Sequence, residues 1–328
     1  MSDASSTAGV SDPEIPEPPR HLRGRTLMMV GGTLLAIGAL LSQVDNLSVL
    51  RDTVQNVIWW WLVLAVVFAF SNKVGYAIAL IGSVPQRLPF GRSVEALFAA
   101  AFSNLALPGI GSTAVQVRYL QQQGVDLASA VAAGAVLANI ANVVVQGTLF
   151  LIALLFTSKT IDVNKIDTSN FGSVLLLVVF VVGVAVAVVV GVGRIRRRIV
   201  PGLKRGIATV RTAVRSPRQI LLLVGGNLGA ALMSALCLYA CVRAYGGTVG
   251  YWPLLVVNIL VGTVASLIPV PGGNTLVAAV GLSAALVAAG TSETVAVAAV
   301  ISEQLIIGYL PALPGWFATN NMLKHGYL

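Results

Sequence analysis

Read from its N-terminus, the chain is a series of apolar stretches separated by short clusters of Pro, Gly and charged residues. Residues 1–19 (MSDASSTAGVSDPEIPEPP) hold too little apolar material to fold and are expected to form a disordered tail. Arg20, Arg23 and Arg25 then lead into an apolar run from Thr26 to Val44. No small-residue cleavage pattern follows that run, so it reads as a retained first span. A second span is predicted from Val57 to Gly82, entered through Trp59, Trp60 and Trp61, side chains that favour the membrane-water interface. Further spans are predicted at Leu127 to Thr157, Phe171 to Gly193, Ile220 to Tyr245 and Val295 to about Ala318.

Between these spans lie apolar helices shorter than the roughly 20 residues a crossing needs. Val94 to Leu107 ends at LPGIGS (107–112) and continues as Thr113 to Gly124. Leu254 to Ile268 ends at PVPGGN (269–274) and continues as Thr275 to Ala289. Pro and Gly at membrane depth break a helix, which is tolerated only where protein or a water-filled cavity satisfies the freed backbone groups.

Composition sharpens the picture. The 328 residues are 56% hydrophobic and 10% charged, with mean hydropathy +0.87, too few charges to clothe soluble domains of this size. Long runs rather than alternation argue against a transmembrane barrel. The expected fold class is therefore an all-α polytopic membrane protein. The net charge of +9 comes without a zinc pattern or an aromatic-rich basic sheet, so no nucleic-acid partner is expected. Cys237 and Cys241 are spaced for one helix face and read as buried small hydrophobes.

Charge also orients the chain. Nine basic residues between Arg194 and Arg218 should stay in the cytoplasm. That places 158–170 outside and both termini inside, with seventeen of the 21 basic residues cytoplasmic or in the first hairpin and Arg51, Lys159, Lys165 and Arg243 outside. The same count makes 94–124 a re-entrant hairpin from the cytoplasm and 254–290 one from the opposite face. Six spans and two opposed hairpins result, in two membrane repeats, 26–157 and 171–320, flanked by tails 1–25 and 321–328. Pro108 and Pro271, like Gly124 and Gly290, stand roughly half a chain apart, and an odd number of spans between the halves makes the repeat inverted, the architecture of many alternating-access transporters.

Polar residues inside apolar segments are the candidate functional groups, because an ionisable side chain there costs at least about 2.5–3.5 kcal/mol. Glu303, followed by Gln304, is either a proton-coupling or headgroup-contacting carboxylate or a structural acid, neutralised or paired. Asn139, Asn142 and Gln146 have helical spacing and either line the same cavity or bond between helices. Arg118 suits a phosphate, which a guanidinium holds bidentately, or snorkels to the interface. Asn104 caps freed backbone or touches substrate, and Glu95 and Glu293 read as helix-start acids. The turns at Pro108, Gly109 and Gly111, and at Pro269, Pro271, Gly272, Gly273 and Asn274, offer backbone N–H groups to an anionic headgroup. They lack the Lys-Ser/Thr of a nucleotide loop. No catalytic triad, acid pair or metal cluster is legible, so neither an enzyme, a cofactor nor a metal is expected.

FSNLALPGIGSTAVQVRYLQQQG (102–124), IPVPGGNTLVAAVGLSAALVAAG (268–290) and YLPALPGW (309–316) resemble the lysylphosphatidylglycerol synthase transmembrane family, over roughly residues 25–320. The resemblance attaches the first family motif to Asn104, Pro108, Gly109, Gly111, Arg118 and Tyr119. It attaches the second to Pro269, Pro271, Gly272, Gly273, Pro311, Pro314 and Gly315. It departs at Leu105 and Gln304, where the family often has Arg, and at Thr275 and Ala278, where it often has Gly and Glu. The resemblance implies a flippase moving an aminoacylated, anionic or glycosylated lipid between leaflets of a bacterial plasma membrane. The soluble transferase domain of larger relatives would lie beyond Leu328, so lipid aminoacylation is not expected. Two other readings stand beside it: a proton- or ion-coupled small-solute carrier using Glu303, and a non-transporting scaffold for a cell-envelope glycosyltransferase.

Overall fold

A computed structural model of the chain describes residues 56–106, 110–157, 216–266, 273–325 and 327. The expected spans at 26–44 and 171–193, the N-terminal tail, the loop 158–170 and most of the basic loop lie outside the described residues, as do Pro108, Gly109, Pro269, Pro271 and Gly272.

Among the described residues the chain forms eight helices: α1 (Trp59–Gly82), α2 (Phe90–Ala106), α3 (Gly111–Gln122), α4 (Leu127–Thr157), α5 (Pro217–Ala244), α6 (Tyr251–Ser266), α7 (Gly273–Ala288) and α8 (Glu293–Lys324). α1, α4, α5 and α8 are long and apolar enough to cross a membrane, at 24, 31, 28 and 32 residues. The order long, short, short, long therefore occurs twice. Helix starts fall a few residues earlier than the apolar pattern suggested, because Pro217 in α5 and Pro253 in α6 occupy first turns, where a missing N–H costs nothing. α8 runs on to Lys324, past Pro311 and Pro314, by adopting a π-helical turn over Leu305–Tyr309, where the Leu310 N–H reaches the Leu305 carbonyl at 3.0 Å. α4 has a π turn of its own over Ala132–Leu137.

The repeat extends to backbone detail. α3 ends at Gly124 (φ 83°) and α7 at Gly290 (φ 92°), the left-handed conformation that favours glycine. In each case the last carbonyls are closed by the same pair of bonds: Gly124 N to Gln121 O and Val125 N to Leu120 O, Gly290 N to Val287 O and Thr291 N to Leu286 O. An extended residue, Asp126 or Ser292, then opens the next long helix. The Asp126 carboxylate accepts from the Ser129 N–H at 3.0 Å, so the side chain and backbone of Ser129 hold its pKa below the ordinary carboxylate value.

α1 and α5, the first long helices described in the two runs, pack antiparallel along their whole length. The Ile58 N–H bonds Ala244 O at 2.9 Å at one end, and Gln219 Nε2 bonds Val84 O at 2.9 Å at the other. Between them the backbones nearly touch. A Cβ at Gly226 would meet Ala79 N at 2.4 Å, and one at Gly75 would meet Ala230 N at 2.8 Å. Buried Asn72 donates to Ala230 O at 2.8 Å. Small residues that let backbones approach, with an amide bonding across, are how helices associate where lipid removes the hydrophobic drive.

The short helices form two hairpins at opposite ends of this pair. α2 and α3 are joined at their base by Ser93 Oγ and Tyr119 Oη, 3.0 Å apart. Tyr119, Leu120 and Val125 share a cluster with Leu80, Val84 and Leu88 at the Arg87 end of α1. α6 and α7 pack through Val261 and Gly281 and have their base at the Arg243 end, where Gly247 lies against Val295 of α8. The closing helix of each half packs on the hairpin of the other. α4 meets α6 through Val145, Leu149, Leu255 and Ile259, with Phe156 stacked on Trp252 at 4.6 Å. α8 meets α2 through Gly315, whose backbone leaves no room for a side chain beside Phe98 O. The two halves are thus interlocked, and Arg87, Arg92, Arg218 and Lys324 collect at one end.

Two expectations need correction. The charge count assigned Lys73 to the cytoplasmic side, but it stands inside α1, nine residues and ~14 Å before Gly82. Glu95 is not a helix-start acid: α2 begins at Phe90, and Glu95 accepts instead from Asn321 Nδ2 of α8 at 3.5 Å.

Gly225 and Gly229 of α5 have open space where a Cβ would stand, which supplies an internal control. Gly226→Ala is expected to lower the thermal midpoint of the detergent-solubilised protein, by an overpacking cost of about 1–3 kcal/mol. Gly225→Ala should leave that midpoint unchanged or raise it. The Asp126 shift has a signed consequence: a lowered folded pKa contributes stability above the ordinary carboxylate range, lost as pH falls through it. Asp126→Ala should therefore be less stable than the parent at pH 7, with the gap closing as the pH is taken below the ordinary carboxylate range. A gap independent of pH would contradict the assignment.

Candidate functional site

Glu303, Cys237 and Lys73, on three of the long helices, lie near one another. Glu303 lies on α8, 3% exposed, on the turn before that helix changes from α to π geometry at Leu305. Gln304 donates from Nε2 to Glu303 Oε2 at 2.9 Å. Ser302, on the same turn, pairs with Tyr245 Oη at 2.6 Å, tying α8 to the end of α5. π turns of this kind leave irregular backbone bonding and are frequent at functional sites.

Facing this acid is the thiol pair of α5. Cys237 and Cys241 are both free and fully buried, one helical turn apart. Cys237 lies near both Glu303 and Lys73. The three long helices α1, α5 and α8 therefore present a cation, a thiol pair and a carboxyl to one region at membrane depth. The reading of the cysteines as small buried side chains agrees with their zero exposure.

Sequence reasoning missed Lys73. The available signal was plain: it is the only charged residue among the 24 of α1, next to Asn72, in the stretch FSNKVGY. Its helix was assigned by hydropathy and its charge was counted by side, so its depth went unread.

The other sequence-derived candidates do not all join this centre. Asn142 and Gln146 are half-buried on α4 and bond each other, Gln146 Nε2 to Asn142 Oδ1 at 3.3 Å, a contact within one helix. Asn139, a turn earlier, is exposed. Asn104 near the end of α2 and Arg118 on α3 are also exposed, on the two arms of the first hairpin. Gly111 opens α3 against the Ser103 carbonyl, too close for any side chain, so the arms meet tightly beside the LPGIGS turn. Gly273 and Asn274 are the first two residues of α7. Among the described residues no cluster of three or more His, Cys, Asp and Glu side chains is placed to hold a metal ion.

Four membrane-length apolar helices, a twofold run of helix order and buried polar groups at their centre define a multi-pass helical membrane protein. The family described as lysylphosphatidylglycerol synthase TM region matches residues 28–315. The chain belongs to that family, and the match covers both hairpins and every candidate residue named above. Among curated proteins none matches the chain.

Proposed function

We propose that this chain is a flippase that moves a polar or anionic lipid, aminoacylated or glycan-linked, between the leaflets of a bacterial plasma membrane. What carries the reading is the pairing of two oppositely directed helical hairpins with a polar centre made by Lys73, Cys237 and Glu303. Hairpins of α2–α3 and α6–α7 would re-enter from opposite faces, leaving irregular backbone and helix ends near the middle of the bilayer, where a headgroup needs hydrogen bonds. Helix α1 and its partner α5 would form the fixed axis, and the π turns of α4 and α8 the points where the closing helices bend. The end carrying Arg87, Arg92, Arg218 and Lys324 would face the cytoplasm, placing both termini there.

Chemically, the work asked of such a protein is small. It must lower the cost of drawing a headgroup through hydrocarbon, and each tenfold acceleration needs only about 1.4 kcal/mol. Backbone N–H groups at the hairpin turns and a few buried polar side chains are suited to that task.

Purified full-length protein in liposomes carrying fluorescent phosphatidylglycerol tests this directly. Transfer between leaflets should run at least about tenfold faster than in protein-free vesicles. Transfer no faster than in empty vesicles for every anionic and glycosylated lipid tried would overturn the flippase reading and favour a scaffold. Glu303→Gln is expected to leave passive lipid movement largely intact. Should a proton gradient drive solute uptake that Glu303→Gln abolishes, the coupled-carrier reading would replace it.

A further inference from the structure

Lys73 is not accounted for by the packing of α1. Its position, about 21 Å from the Trp59 end and ~14 Å from the Gly82 end, puts it near the middle of a bilayer core about 30 Å thick. The residue is half-buried and keeps accessible surface, on a helix whose neighbouring positions Asn72 and Gly75 pack against α5. Intramembrane cations are retained where they face the bundle interior or a water-filled cavity.

Among the described residues no hydrogen bond or ion pair engages this ammonium, and the side chain near it on α5 is the thiol of Cys237. Glu303, the acid near Cys237, is already bonded by Gln304. The ammonium is thus left without a direct partner. An unpaired charge at this depth costs at least about 2.5–3.5 kcal/mol, and a bound anion would offset that cost. Lysine offers three rotatable donors and a compact charge, which suits the oxygens of a phosphate.

Resting on the flippase reading above, we infer that Lys73 is the anion-recognising residue of the translocation path. It takes a phosphate at mid-membrane depth, carried by a lipid headgroup or by a soluble phosphate ester. In this account Arg118, exposed on α3, lies outside the deep site, and Lys73 sets the preference of the path for phosphate-bearing cargo.

The test uses full-length parent protein, Lys73→Met and Lys73→Arg. In liposomes, transfer of fluorescent phosphatidylglycerol is compared with that of a fluorescent glucosyl-diacylglycerol, which has no phosphate. In detergent, binding of dihexanoyl phosphatidylglycerol and of inorganic phosphate is measured by calorimetry. Lys73→Met should lose phosphatidylglycerol transfer and binding by about tenfold or more, keep glucolipid transfer, and keep the parent's thermal midpoint, while Lys73→Arg stays within about threefold. Equal binding of the phosphate probes by parent and Lys73→Met, or an equal fall for both lipids, would overturn the inference. If the parent moves no lipid, the flippase reading fails by itself and the binding arm still decides: loss in Lys73→Met sustains the site, and unchanged or absent binding removes it. Binding of phosphatidylglycerol without inorganic phosphate assigns a lipid cargo, and the reverse a soluble one.

Discussion

The backbone contact between α1 and α5 is the constraint on which the rest of this structure depends. Gly75 and Gly82 on one helix and Gly226 on the other bring main chains within van der Waals range, and Asn72 bonds across to Ala230. In lipid, apolar side chains gain little by leaving one apolar neighbour for another, so close packing and a few polar bonds must supply the association. Everything else hangs from the two ends of this pair. The α2–α3 hairpin attaches at the Gly82 end through Leu80, Val84 and Leu88, and the α6–α7 hairpin attaches along α5 toward Arg243 through Leu238, Leu254 and Leu286. Because α4 closes on α6 and α8 closes on α2, neither half can be completed without the other.

That interlock explains how charge is tolerated at the centre. Glu303 is buried and bonded to Gln304, the thiols of α5 are buried near it, and Lys73 is half-buried on α1. The helix that carries Glu303 loses its regular bonding pattern immediately afterwards, over Leu305–Tyr309, ahead of Pro311. A buried acid beside a bend joins the electrostatics of the site to the one place on α8 where the backbone is easily rearranged. The equivalent helix of the first half takes its π turn nearer its start, over Ala132–Leu137, so both closing helices carry a π turn but at different places.

Much of the architecture was legible in the sequence because bilayer physics writes it in large letters. Run length separated α1, α4, α5 and α8 from the short helices, and the breaks at LPGIGS and PVPGGN marked both hairpins. Gly124 and Gly290 foretold the turns they make, since few other residues adopt their φ. Two spans of the expected six fall outside the described residues. The candidate site was legible only in part. Glu303 and Gln304 stand where a polar residue in an apolar run should, but Asn142 and Gln146 satisfy each other within α4. Lys73 was hidden because counting charges by side assigns every basic residue to a surface, whereas depth is a property of the helix that carries it. The contact of Glu95 with Asn321, more than two hundred residues away, was beyond any local pattern.

The account stands or falls on the opposed direction of the two hairpins. Single cysteines at Gln122 and at Gly250, both exposed and each at the base of a different hairpin, can be treated with a membrane-impermeant maleimide in sealed vesicles of known orientation. Labelling of Gln122→Cys from one face only and of Gly250→Cys from the opposite face only is the expected result. Labelling of both from the same face would contradict the inverted repeat and the translocation path built on it.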